Sequence, residues 1–523
     1  MLLFYNGVIH TMDPAQPTAE LVLVNDRGRI VLVGDLDALA TMPPFKRVDL
    51  AGRTLIPGFN DAHVHIWKLG LLLTVQIDAR GLPDIPTIAK LFRERAARTP
   101  SGTWLTGRGY NEANLAEGRH LTRADLDAAS TEHPIALTRT CGHMIVANSR
   151  ALELAGITAS TPNPPGGVIV RDEHGAPTGL LQETATGLLN IPVPEDETLA
   201  HAIREANYHQ LRLGITSATD PLLTPDHLRV YRQLEADGDL AVRVNGMSIR
   251  RPDAAEKITF PLPEKYLSAT LRIDTVKFFA DGGLSGATAA ISQPYKVTGE
   301  RGVLRFETEE LIDLMREAHD AGYRIGTHAI GDVALDQVIG VYEILRQRKP
   351  GTGLRHRIEH LGLPTADHLR RLKVIDAIAV PQTVFLPALG SSFRRYLPDA
   401  FIPRCYPVRA MIDAGLTVAL SSDAPVVGDD NPLLGIKAAL DRLDGNGNPI
   451  APEQAITAYE ALYAFTMGGA IASGDDGNRG SLTVGKWADL VILNGDPLTT
   501  PPEDMLSIKV DQTYVGGQLV YER

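Results

Sequence analysis

The chain has 523 residues, 51 Lys+Arg against 63 Asp+Glu for a net charge of −12, and only two cysteines. Hydrophobic residues at 44 % and charged residues at 22 % are the proportions of a folded globular protein, long enough for more than one core. The acidic balance argues against nucleic acid as a partner. No run of about 18 apolar residues is present to span a membrane, and Cys141 and Cys405 cannot build a disulfide framework, which fits a reducing cytoplasm.

The first residues, Met1 to Gly7, lack a basic stretch ahead of an apolar core, so no signal peptide is expected. Residues 1–54 read as short strands: Leu2–Tyr5 before the turn Asn6-Gly7, then Leu21–Val24 and Ile30–Val33 around the turn Asn25-Asp26-Arg27-Gly28. Residues 478–523 read the same way, with a strand at Asp489–Leu493, a turn at Asn494–Pro497 and a closing hairpin at Tyr514–Tyr521. Each end is too small to bury a core alone, so together they predict one small β-sandwich domain built from both termini. Residues 55–477 alternate strands and helices. A first strand running on from Leu55 is followed by Gly214–Thr219, Ala241–Gly246, Arg272–Phe279, Tyr323–His328, His356–His360, Ala377–Val380 and Leu416–Ser421. Helices are predicted at Glu309–Ala321, capped by Thr308, and at Val333–Arg346, opened by Asp332. The fold class is α/β, a (β/α)8 TIM-type barrel. Residues 80–210 break the alternation, are Pro- and Gly-rich around Pro162–Gly167, and read as an insertion after the first barrel strand.

The sharpest local pattern is Asp61-Ala62-His63-Val64-His65. In a strand, alternate side chains share a face, so His63 and His65 point the same way and can hold one divalent metal. Two histidines on a polar strand face would give the same pattern. Lys277 lies in the apolar run Ile273–Phe279, ahead of Ala280-Asp281-Gly282-Gly283. A buried ammonium there is costly and its pKa should fall. A neutral amine can take up carbon dioxide to form a carbamate able to bridge two metals; a lysine reaching solvent is the plainer alternative. His328, His360 and Asp423 each stand at the C-terminal end of a predicted barrel strand, where barrel enzymes place their active sites. A bound metal lowers the pKa of its water to about 7, and a carboxylate touching both can take the proton and later deliver it to a leaving amine. Asp423 is the candidate for that role.

These residues in this order resemble the amidohydrolase superfamily and, more narrowly, its YtcJ-like branch, which includes N-substituted formamide deformylases. The resemblance covers nearly the whole chain. It includes Gly142-His143, Asn148-Ser149, Ala151-Leu152, Gly166-Gly167, Gly175, Gly179, Lys277–Gly282, Thr327–Asp332, Glu359-His360, Gly480-Ser481-Leu482, Gly485-Lys486 and Ala488-Asp489-Leu490. It implies one metal on His63, His65 and Asp423, a second on His328 and His360, and a carboxylated Lys277 bridging them, the metal being zinc or zinc-like. The implied activity is hydrolysis of an amide or N-formyl carbon–nitrogen bond in a small molecule, by a cytoplasmic enzyme that forms a homodimer. Deamination of a heterocycle and hydrolysis of an ester or carbamate use the same machinery. A catalytically silent binding or regulatory protein on this scaffold is the rival from outside enzymology, and the filled ligand positions count against it. Two departures bear on substrate: Cys141 stands where relatives often carry an acidic residue, and Gly282-Gly283 where Ser often follows the first glycine. Substrate-side candidates are His143, Gln382, Tyr110 and Trp67, each of which also fits a packing or rim residue. Leu386–Arg404, with Arg394 and Arg395, reads as a lid over an anionic substrate or as a solvated loop.

Overall fold

Eight parallel strands carry the middle of the chain: β1 (Phe59–Asp61), β2 (Ile215–Leu223), β3 (Arg243–Ile249), β4 (Leu271–Phe279), β5 (Arg324–Ala329), β6 (Arg357–His360), β7 (Ile378–Val380) and β8 (Thr417–Val418). The computed structural model describes residues 1–35, 45–251 and 258–523. Each strand pairs with the next in chain order, forming one curled sheet, and Tyr266–Leu267 adds a short antiparallel strand beside β4. The strands are buried along almost their whole length, as expected where helices cover a parallel sheet. The outer strands β1 and β8 meet just beyond their ends. The Ala62 N–H donates to the Leu420 carbonyl at 3.4 Å, Asp423 N–H to the His63 carbonyl at 2.8 Å, and His65 N–H to the Ala424 carbonyl at 2.8 Å.

The strand expected to run on from Leu55 is split at Gly58. Thr54–Pro57 lies antiparallel to Leu490–Leu493 in the terminal sheet, and the parallel sheet begins only at Phe59. A Cβ on Gly58 would sit 2.0 Å from Thr216 Oγ1, so glycine is what lets the chain pass from one sheet to the next. The terminal sheet has eight strands, with Leu2–His10 paired to Thr18–Val24, Lys46–Asp49 and Thr54–Pro57, and Val510–Val515 beyond Leu490–Leu493. It curls on itself, bringing the rings of Phe4 and Tyr514 to 5.0 Å although two strands separate theirs. A buried ion pair ties it to the barrel: Arg243 at the start of β3 donates to Asp489 at 2.7 and 2.9 Å.

The expected helices form as Thr308–Asp320 and Asp332–Arg348, each starting one residue early. Thr308 is therefore inside the first helix rather than its cap, and the Asp332 carboxylate accepts from Ser292 N–H and Oγ at 2.9 and 2.6 Å. Five strands within the tract read as an insertion, together with Ile77–Asp78 just before it, form a second sheet among the described residues, in the order Ile77–Asp78, Leu105–Tyr110, Ile135–Arg139, Met144–Ala147, Pro177–Glu183 and Gly167–Arg171. Phe92, Tyr110, Leu126 and Leu137 belong to one core of this layer, and Leu152, Ile169, Leu181 and Leu189 to another. The last helix of the tract, α2 (Asp196–Arg212), instead packs on α1 (Ile66–Thr74), where Gly70 closely faces the Ala202 carbonyl. Among the described residues, no helix is long and apolar enough to cross a membrane.

Candidate metal centre and its cavity

The edge of the sheet at which β1 and β8 meet builds the centre. The Asp61 carboxylate, at the end of β1, accepts from the backbone of His63 and Ser422 at 3.1 Å each and from Ser422 Oγ at 2.5 Å. Burial outweighs these bonds and raises its pKa to about 7. The clasp brings His63, His65 and Asp423 together, so that one donor atom from each lies within 4.8 Å of the others. His65 Nε2 is 3.3 Å and His63 Nε2 3.5 Å from Asp423 Oδ1. Asp423 has φ +57° and His360 φ +76°, left-handed conformations that non-glycine residues adopt at a cost and that cluster at functional sites.

His360 from β6 and His328 from β5 complete the ring of imidazoles. Their rings are 4.4 Å apart edge-on, and His63 and His360 are 5.1 Å apart. Lys277 on β4 is buried with no hydrogen-bond partner on Nζ among the described residues, 4.7 Å from the Phe279 ring, and burial draws its pKa down to about 8. Its charge is felt by His63, His328 and His360, which places it in the same electrostatic cluster.

Three of the four imidazoles have one nitrogen fixed by an acceptor. His63 Nδ1 donates to Glu359 Oε2 at 2.5 Å, His360 Nδ1 to Gln382 Oε1 at 2.7 Å, and His328 Nε2 to the Gly282 carbonyl at 3.0 Å. The other nitrogen of each is left as a lone pair, the form a ligand needs. Burial lowers the pKa of all four, His360 to about 3, so they are neutral at pH 7. Glu359 is held ionised against burial by Arg357, which grips it through Nε and Nη2 at 2.6 and 2.9 Å, and by His63. Burial opposes charge on Asp423 too, but His65, His63 and His360 hold its carboxyl below the usual range.

A cavity of about 70 Å³ opens on this cluster, with His143, Arg108, Cys141, Glu183, Phe279 and Lys68 among its walls. His143 is the one substrate-side candidate that lies there; its Nδ1 is 2.9 Å from Glu183 Oε2 and its ring is 5.0 Å from that of His328. The others lie elsewhere. Gln382 is fully buried behind His360, its amide nitrogen donating to the Val380 carbonyl and Ser421 Oγ at 2.9 Å each. Tyr110 packs in the core of the second sheet with its hydroxyl 3.1 Å from His120 Nδ1. Trp67 packs on His227, ring centroids 4.4 Å apart. The segment Leu386–Arg404, read as a lid or a solvated loop, falls in the helix Phe385–Tyr396 and the short 3-10 helix Asp399–Arg404; Leu386 and Phe393 are buried, Arg394 donates to Asp444 at 3.0 Å, and Arg395 lies over the Tyr396 ring. Sequence reasoning missed Glu359, Gln382 as a positioning residue, Arg108 and Glu183. The pair Arg357/Glu359, opposite charges on one face of an apolar strand, was the available signal for the first.

The chain belongs to the amidohydrolase family, whose model matches residues 46–521. It is 30 % identical to YtcJ of Bacillus subtilis (strain 168) over 541 residues, spanning 100 % of this chain and 99 % of that protein. It is likewise 30 % identical to the N-substituted formamide deformylase of Arthrobacter pascens over 545 residues, spanning 100 % and 98 %. Among solved structures, a metal-dependent hydrolase from Pyrococcus horikoshii superposes with a TM-score of 0.76 at 27 % identity, covering 96 % of this chain and 99 % of that one.

Proposed function

We propose that this protein is a metal-dependent hydrolase of carbon–nitrogen bonds in small amides, including N-formyl amides. The convergence of His63, His65 and Asp423 on one point carries the reading. Asp423 Oδ1, His65 Nδ1 and Lys277 Nζ are buried polar atoms without a hydrogen-bond partner, an arrangement that is costly unless something else engages them. Neutral imidazoles with a carboxylate are the donor set that suits zinc, and a cation held there would act as a Lewis acid and lower the pKa of its water to about 7. His328 and His360 would hold a second ion, and Lys277, as the carbamate formed from carbon dioxide with loss of a proton, would supply a further ligand. The deformylase likeness supports a small acyl group on the carbonyl side.

The chain's own residues do the rest. Asp423, kept ionised and buried, accepts a proton from the attacking water and returns it to the departing nitrogen. The clasp of Asp61 on Ser422 and the hydrogen bond from Asp423 N–H to the His63 carbonyl hold that carboxylate in place. Protein purified without chelator should contain one or two equivalents of divalent metal by elemental analysis and hydrolyse N-substituted formamides. Asp423→Asn should lower kcat by ~10²–10⁴-fold. Absence of metal, with no hydrolysis after metal is restored, would instead identify a binding protein.

A further inference from the structure

The mechanism leaves two buried arginines of the cavity unused, Arg108 and Arg305, and Arg305 lies over the Phe279 ring. Arg108, in the strand Leu105–Tyr110 of the second sheet, is 5 % exposed and shares the cavity with His63, His65 and Asp423. Its approach is built by two glycines. The pairing register slips between Arg108 and Tyr110, and Gly109 between them has φ +106°, a bulge that turns the strand and re-aims its side chains. A Cβ on Gly142 would lie 3.0 Å from Arg108 Nη2. Thus directed, the side chain crosses to the barrel, and its Nε donates to the Pro425 carbonyl at 3.4 Å, two residues past Asp423.

Among the described residues, that long bond is the only one the Arg108 side chain makes, and neither Nη1 nor Nη2 donates to any of them. The neighbouring Arg139 shows what a structural buried arginine looks like in the same sheet. Its Nε and Nη2 hold Glu112 at 2.7 and 2.8 Å, and its Nη1 and Nη2 reach Ser285. No carboxylate plays that part for Arg108. Of the two in its cavity, Glu183 is bonded to His143, and Asp423 faces His63 and His65. Burial draws the Arg108 pKa down to about 10, so the group stays charged at pH 7. Arg108 lines the cavity, and a guanidinium fork matches a carboxylate through two parallel hydrogen bonds.

We propose that Arg108 binds the carboxylate of the substrate, so that the preferred substrates are small amides carrying a free carboxylate, such as N-formyl amino acids. The inference rests on the hydrolase reading for the reaction, but not for the binding. In the reaction the formyl C–N bond breaks, the water oxygen bonds to the formyl carbon, and a water proton goes to the amine, giving formate and the amino acid. Arg108 keeps the amino acid's carboxylate throughout.

The test uses the metal-loaded full-length protein and its Arg108→Gln and Arg108→Lys variants, with metal content and Tm checked for each. The probes are N-formylalanine, its neutral counterpart N-formylalaninamide, and succinate, which has no scissile amide. The expected result is a preference for N-formylalanine. That preference falls by at least ~30-fold in Arg108→Gln, the size of effect of a broken buried ion pair. N-formylalaninamide hydrolysis should change little, calorimetric succinate binding should weaken in parallel, and Arg108→Lys should recover part of both. Should Arg108→Gln misfold, Arg108→Lys carries the test, since it keeps the charge and loses the fork. Equal loss for both formyl probes, or succinate binding indifferent to Arg108, overturns the proposal and leaves the hydrolase reading standing. Succinate binding that depends on Arg108, with neither formyl probe hydrolysed, overturns the hydrolase reading and leaves the anion site.

Discussion

Gln382 shows how a single side chain conditions the centre without touching its cavity. Its amide oxygen takes the Nδ1 proton of His360, and its amide nitrogen is anchored to Val380 and Ser421. Gln382→Ala should leave the fold intact and weaken metal binding by ~10–100-fold, read by competition with a chelator of known affinity, as loss of a ligand-orienting partner does. At this scale, the sequence made legible which residue types stand at strand ends, but not which way they point. Gln382, one strand along from His360, reads from sequence as either a substrate contact or a rim residue, because position past a strand end does not distinguish the cavity from the space behind a ligand. Tyr110 was misplaced for a related reason: the bulge at Gly109 changes the register between it and Arg108, so the neighbour rather than the tyrosine enters the cavity.

Among the elements, the contact of α1 with α2 is set by one glycine. A Cβ on Gly70 would stand 1.9 Å from the Ala202 carbonyl oxygen, and backbone cannot yield as a flexible side chain does. Gly70→Ala should force the helices apart and destabilise the protein by ~1–3 kcal/mol, seen as a lowered Tm with the metal content of the remaining folded protein unchanged. The alternation of strands and helices was legible because parallel strands are uniform apolar runs. The break at Gly58 was not: Leu55–Pro57 and Phe59 form one apolar stretch, and nothing in its periodicity says that the chain changes sheets midway. The second sheet in the insertion was hidden because its strands lack that regular spacing and are closed by turns rich in Pro and Gly.

For the molecule as a whole, buried carboxyls set how stability depends on pH. Asp220, at the barrel strand β2, accepts from the Tyr231 hydroxyl, and burial raises its pKa from 3.8 to about 8. Below the unfolded value both states hold the proton. Between there and about 8 only the folded state does, so its contribution to stability falls as pH rises through that window and is gone above it. Asp220→Asn keeps an acceptor for Tyr231 and cannot ionise. A plot of Tm against pH from 5 to 9 should therefore fall less steeply for this variant than for the natural protein, by roughly the slope of one proton.

The clasp of Asp61 on Ser422 joins residues 361 positions apart in the chain. Contacts of such separation form late, because the loop they close must first be ordered. During synthesis, His63 and His65, just past the end of β1, emerge long before the aspartate that faces them. A growing chain therefore carries half of the proposed centre through most of its translation, and the centre is complete only when the eighth strand has been made and has docked. On the metal-dependent reading, ion capture would report that the ring of strands is whole, and a polypeptide released short of Asp423 would have the histidines and lack the carboxylate that faces them.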